Sequence, residues 1–197
     1  CALVLELSLD SYLVPVLLLA NIGIAILINM GTNIFFGEIS YITKALVAVL
    51  QLGVTTDFSI FLYNCFEKKK ELYKSKEEAM SSAIEETFTS VIGSSLTTIT
   101  GFLVLCTMSL TLGKDLGIVM AKGVLIGLIS TLLLFPALIL TFDKYIEKTK
   151  HKKVNLVFDK LNHFIVKSYK VIFIIFVLLI IPAYLAYSKI DVYYKMD

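Results

Sequence analysis

Apolar residues run in five long blocks, 13–30, 41–62, 88–110, 116–140 and 171–187, each closed by a short polar or glycine-containing interruption. A hydrocarbon core about 30 Å thick takes about 20 helical residues at about 1.5 Å each. The blocks therefore predict membrane-spanning helices, the last of them short. Residues 1–9 are apolar but too few to span, and read as the last turns of a helix. Asp10-Ser11-Tyr12 predicts a tight polar turn, and Pro15 falls in the opening turn of the first complete span, where a missing N–H costs little. Asn21 and Gly23 offer that span a hydrogen bond or a close approach to a neighbour. Gly31-Thr32-Asn33 ends it, Phe35-Phe36-Gly37-Glu38 forms a short connection, and Ser40 is placed to cap the second span.

Ser75-Lys76-Glu77-Glu78 fits a capping box, Ser followed three residues later by Glu. The third helix is expected to start there in water and to enter the membrane near Phe88. Thr111-Leu112-Gly113-Lys114-Asp115 reads as a turn before the fourth span, which carries Pro136 near its end. The segment 143–170 differs in kind. Val154, Val157, Phe158, Leu161, Phe164 and Ile165 recur at helical spacing opposite Lys152, Lys153 and Lys160, the pattern of a helix lying on a membrane surface. Tyr169, Tyr184, Tyr187, Lys170 and Lys189 flank the last span as interfacial residues.

Lysines set the orientation. Thirteen of the eighteen fall in the connection 67–76 and the segment 143–170, which lie on the same side. That side is expected to be cytoplasmic.

Asp57 is the residue that asks most of a membrane reading. With the second span centred near Leu52, it lies roughly 7 Å from the midplane. An ionised carboxylate there costs roughly 2.5–3.5 kcal/mol on insertion scales, so it needs a polar neighbour, water or a proton. Gly53, Asp57, Ile60 and Asn64 share one helical face, which reads as the one turned to other helices. The third helix carries Ser90, Ser94, Thr97, Thr98 and Gly101 at three- and four-residue steps, a stripe expected to pack on the Asp57 helix with a threonine hydroxyl donating to the carboxylate. Two readings of Asp57 stand: a structural carboxyl, permanently protonated, or a proton carrier that loads and unloads as water reaches it. Lys122 is not expected to pair with it, because the two are placed on opposite sides of the midplane with a vertical gap of about 16 Å. It is expected to snorkel to the outer surface or to line a hydrated cavity. An intramembrane aspartyl protease would need a second deep carboxylate; Asp115 and Asp143 lie at opposite ends of their helix.

Composition agrees with a membrane chain. The 197 residues are 57% hydrophobic and 17% charged, with a net charge of +2 too small to argue for nucleic acid. No arginine or tryptophan occurs. Cys1, Cys65 and Cys106 have no metal-like or disulfide-like spacing, so no metal or cofactor is expected. Without an initiator Met or a signal-peptide pattern, the chain reads as a piece of a longer protein.

Three stretches resemble one family. Gly53-Val54-Thr55-Thr56-Asp57-Phe58-Ser59-Ile60-Phe61-Leu62 resembles the G-V-G-T-D-Y-x-I-F-L signature of the resistance-nodulation-division (RND) superfamily, in its mycobacterial-membrane-protein-large (MMPL) branch. Ser94-Ser95-Leu96-Thr97-Thr98-Ile99-Thr100-Gly101-Phe102-Leu103 resembles S-x-L-T-T-x-x-G-F-L, and Leu133-Leu134-Phe135-Pro136-Ala137-Leu138 resembles L-x-L-P-A-L. The resemblance implies an all-α polytopic helix bundle in two halves of six spans, of which this chain holds the end of span two through span seven. Residues 1–142 would be the first-half bundle, 143–170 a cytoplasmic amphipathic linker, 171–188 the first span of the second half, and 189–197 the start of an outer domain.

It also implies a transporter and not an enzyme: proton-driven efflux of lipids or other hydrophobic and amphiphilic cargo across a bacterial cell membrane. Asp57 would be the proton relay, with Gly53, Thr56, Phe58, Ser94, Thr97, Thr98 and Gly101 as polar and packing support. Membrane lipids, cargo, protons and the second half of the chain are the implied partners, with homo-oligomers left open. Phe58 stands where the pattern has Tyr and lacks its hydroxyl; Thr55 stands where it has Gly and is bulkier. The alternative is a non-transporting sensor or scaffold of the sterol-sensing type.

Overall fold

The computed structural model describes residues 5–6, 9–35, 40–108, 111–150 and 159–187. Among them the chain is almost wholly helical, with α1 Leu13–Gly31, α2 Tyr41–Lys70, α3 Lys76–Leu105, α4 Thr111–Ile129 and α5 Phe135–Lys148 in one compact unit that ends at Lys153. A π-helical stretch, Ser130–Leu134, joins α4 to α5, so the two form one continuous rod of 38 residues. Four helical segments, Leu13–Phe35, Tyr41–Lys70, Lys76–Leu105 and Thr111–Lys148, are long and apolar enough to cross a membrane. The second compact unit holds α6 Asp159–Lys167 and α7 Tyr169–Tyr187, which follow one another through Ser168; Tyr169–Leu185 is a shorter apolar helix. Of the expected surface helix 154–165, residues 154–158 lie outside the described residues, as do 1–4, 36–39 and 188–197 of the expected terminal and connecting segments.

Local chemistry explains the helix ends. At α1, the Ser11 hydroxyl accepts from the Leu13 N–H at 3.3 Å, and Pro15 follows in the first turn. Ser75 caps α3 by accepting from the Glu78 N–H, as the capping box predicts. Its own hydroxyl proton goes to Glu77 at 2.6 Å. Ser40 stands at the α2 N-cap position, but its side chain makes no capping bond.

The expected turn at 111–115 is helix instead. α4 begins at Thr111, and the reversal falls at Cys106–Met108. The glycines there serve packing: a Cβ on Gly117 would meet the Phe102 carbonyl and Cys106 Sγ at 2.7 Å. The side chain that is missing lets α3 and α4 close into a tight hairpin.

Packing concentrates at the lysine-rich end. Leu18 and Ile22 of α1, Leu62, Tyr63 and Phe66 of α2, and Phe135 and Ile139 around the start of α5 form the largest buried cluster. Between helices in lipid this contact works through van der Waals packing, because lipid tails are as apolar as the side chains.

Candidate functional site

α2 divides into two faces. Gln51, Thr55, Ser59 and Leu62 are buried against neighbouring helices, whereas Gly53, Asp57 and Asn64 are exposed. Thr55 and Ser59 each lie two residues from Asp57, about 200° round the helix. The face expected to meet other helices is therefore the open one among the described residues. Hydropathy cannot make this distinction, since both faces carry small and polar residues.

Asp57 opens into a groove of about 300 Å³ between α2 and α3. Val54 and Phe61 flank it from α2, and Ser90, Ser94 and Thr98 line the facing wall. Phe58 forms the floor: its ring is buried in a cluster with Val91 and Val124. No hydroxyl is needed in that apolar setting, which suits phenylalanine.

The threonine hydroxyls near Asp57 are already engaged. Thr97 donates to the Gly93 carbonyl at 3.0 Å, Thr98 to Ser94 at 2.9 Å, and Thr56 to Leu52 at 2.5 Å. Each bond returns to the carbonyl four residues back, a pattern serine and threonine favour inside helices. The expected threonine-to-carboxylate bond is absent, and among the described residues Asp57 has no hydrogen-bond partner. Thr97 and Gly101 are exposed, and only Thr98 of the threonine pair reaches the groove. Gly53 and Gly101 have nothing within 4 Å of an added Cβ, so neither brings α2 and α3 together. Val91 and Ser95, on the neighbouring face of α3, are among its buried positions.

A second polar region, unmarked by any motif, lies on the buried side of α2. The Asn29 amide donates to Gln51 Oε1 at 2.8 Å and to the Val119 carbonyl at 3.3 Å, while Gln51 Nε2 donates to the Gly123 carbonyl at 3.1 Å. Ser59 and Thr131 share a hydrogen bond at 3.1 Å, and Ser130 donates to Asn21 at 2.6 Å. Asn21 thus makes the interhelical bond its sequence position suggests; Gly23 makes no close contact. Lys122 extends this seam toward the end of α1 and donates to the Asn29 carbonyl at 3.0 Å and Asn33 Oδ1 at 2.5 Å. Its ammonium thus meets the C-terminal end of α1, away from the lysine-rich turn. The signal for this seam is the polar residues Asn21, Asn29, Gln51 and Ser59 inside apolar blocks, but only the fold pairs them.

At the lysine-rich end, beyond the apolar runs, Asp143 receives Lys70 at 2.8 Å and also Lys76. Glu147 lies 3.2 Å from Lys70 and 3.3 Å from Lys76. Burial would raise the Asp143 carboxyl, but hydrogen bonds and charge from the two lysines outweigh it and hold it below the ordinary carboxylate range. Ser11 and Thr149 share a hydrogen bond at 2.7 Å, beside a single bridge between Ser11 and Lys150. These contacts tie the α2–α3 turn and the start of α1 to the end of α5. Among the described residues no cluster of His, Cys, Asp or Glu could hold a metal.

A bundle of membrane-length helices with hydrogen-bonded polar seams and a carboxylate at span depth defines a polytopic membrane protein. The model of the MMPL family matches residues 1–180, and the chain belongs to that family. ActII-3 of Streptomyces coelicolor, named as a membrane protein, is 33% identical over 104 residues, 53% of this chain and 15% of its own length. MJ1562 of Methanocaldococcus jannaschii, also named as a membrane protein, is 31% identical over 100 residues, 51% of this chain and 26% of its own length. The matched stretch is about a quarter or less of each relative. No solved structure matches the chain.

Proposed function

We propose that the complete protein exports lipids or other hydrophobic or amphiphilic molecules across the cell membrane at the expense of the proton gradient, with Asp57 as the proton carrier. The observation that carries this reading is the setting of Asp57. It lies in the middle of α2 and opens to a groove, and among the described residues no lysine or hydroxyl is hydrogen-bonded to it. A structural carboxyl in lipid is expected to be satisfied by a neighbour; here the neighbouring hydroxyls of Thr56, Thr97 and Thr98 are spent on their own helices. The open face of Gly53, Asp57 and Asn64 is the one that would meet the second half of the chain. Because the buried Phe58 cannot relay a proton, loading runs through water in the groove, with Ser90 and Ser94 available to hold it.

The test is Asp57→Asn in the complete protein. Asparagine keeps the size and hydrogen-bonding capacity but cannot bind and release a proton near neutral pH. Proton-gradient-driven export in vesicles should be abolished while membrane abundance stays near normal. Near-normal export by the variant would leave Asp57 as a structural carboxyl.

A further inference from the structure

The last turns of α5 carry a surface with its own chemistry. Lys144, Tyr145 and Lys148 line a recess of about 420 Å³ together with Glu147. Phe142 stands beside Tyr145, ring centroids 6.4 Å apart, and the Lys148 ammonium lies 6.0 Å from the Tyr145 ring. Tyr145 is 61% exposed, so its ring is presented outward and not folded into the bundle.

Charge bookkeeping at this end leaves a surplus. Asp143 and Glu147 are met by Lys70 and Lys76, and Glu67 by Lys150 at 3.4 Å. The recess carboxylate is thus already neutralised from its other side. Lys144 and Lys148 carry the net positive charge of this helix end, four residues apart on one face with Tyr145 beside them.

Depth identifies what can meet them. The 38-residue rod Thr111–Lys148 is about 57 Å long at about 1.5 Å per residue, against a hydrocarbon core of about 30 Å. Its last two turns therefore emerge at headgroup level, where exposed aromatic rings and lysines are the residues that anchor to lipid. If the lysine-rich end faces the cytoplasm, the leaflet around it carries anionic lipid.

We infer that Phe142, Lys144, Tyr145 and Lys148 form a binding site for the phosphate headgroup of an anionic phospholipid of the cytoplasmic leaflet. The two ammonium groups meet the phosphate, the Tyr145 ring and hydroxyl sit at the headgroup boundary, and Phe142 lies along the first acyl carbons. The site is separate from the Asp57 groove, and it holds a resident lipid, not cargo in transit. It touches the helix segment whose opposite side is clamped to Lys70 and Lys76, so the bound lipid fixes the position of that end of α5.

Native mass spectrometry of the complete protein, released from detergent with added phosphatidylglycerol or phosphatidylcholine, tests this. Phosphatidylglycerol should be retained in preference to phosphatidylcholine. Lys144→Gln and Lys148→Gln should each weaken it about fivefold, and the double variant about thirtyfold. Tyr145→Leu should weaken it further without changing the charge preference. Lys44→Gln with Lys114→Gln removes the same charge from exposed positions at the other end of the bundle and should leave retention unchanged. Inorganic phosphate at equal concentration should not displace the lipid. Equal retention of the two lipids, full retention by the Lys144/Lys148 double variant, an equal loss in the Lys44/Lys114 control, or displacement by free phosphate would each overturn the assignment.

Discussion

Thr55 stands directly over Gly127: a Cβ built on that glycine would lie 2.5 Å from the threonine Oγ1. Thr55 is the position where this chain is bulkier than the family pattern, and α4 receives it with a residue that has no side chain. One turn earlier, a Cβ on Gly123 would meet Asn29 Nδ2 at 2.5 Å and Gln51 Oε1 at 3.0 Å. The two glycines, four residues apart, are what let α4 approach the polar face of α2, in the small-xxx-small manner of membrane helices.

Gly127→Ala should therefore cost about 1–3 kcal/mol through overpacking, read as a lower unfolding midpoint in detergent. Thr55→Ala in the same protein should restore most of the loss by removing the atoms the new methyl would strike. Gly53→Ala and Gly101→Ala, with open space around them, should stay within about 0.5 kcal/mol of the parent. Equal losses at Gly53 and Gly127 would contradict this account of the seam.

The Asn29–Gln51 bond should show a positive coupling in a double-mutant cycle built from Asn29→Ala and Gln51→Ala. Interhelical hydrogen bonds in membranes average about 0.6 kcal/mol and reach about 1.7. A value in the upper half of that range is expected, because each amide also holds an α4 carbonyl. Additive losses would mean that the two side chains are satisfied independently.

Asp143→Asn removes the charge that two lysines share. The Lys76 side chain is 39% exposed, so the loss should fall below that of a fully buried pair, at about 2–3 kcal/mol. A carboxyl whose folded pKa is depressed contributes stability above its unfolded value, about 3.9, and loses it as the pH falls through the folded one. The unfolding midpoint of the parent should be flat in this respect from about pH 7 to pH 5 and drop below about pH 4, and the Asn variant should drop less steeply. Parallel acid profiles would show that Asp143 is not the group responsible.

The helices and the Ser75 cap were legible because long apolar runs and a capping box are local signals. The Asp57 groove was partly legible: Ser90, Ser94 and Thr98 recur at helical steps and do line it. Which glycines are approached was not. A glycine reads the same in sequence whether it faces a helix or open space, so Gly53 and Gly101 drew the expectation that Gly117, Gly123 and Gly127 fulfil. The partners of Asn29 and Gln51 lie on helices distant in sequence, and no spacing rule joins them. Thr111–Asp115 looked like a turn because Gly, Lys and Asp cluster there, yet tertiary contact with α3 keeps it helical.

The wide turn at Ser130–Leu134 has a consequence for angular phase. Its Phe135 N–H donates to the Ser130 carbonyl five residues back, which opens the turn ahead of Pro136, whose ring would otherwise strike the carbonyl four residues before it. A helix of 3.6 residues per turn would carry Ile139, Asp143 and Ile146 about 100° away from the face set by Met120, Val124 and Gly127. All six are buried, because the one extra residue winds the lower half back. The rod is thus two α-helices set out of step by one residue. Deleting Leu133 together with Pro136→Ala should close the turn into ordinary α-helix and leave Asp143 aimed at Lys70, with the unfolding midpoint little changed. Deleting Leu125 instead should swing Asp143 about 100° away from its lysines and collapse membrane abundance. The one-residue offset is what lets a single rod keep one buried face from Met120 to Ile146.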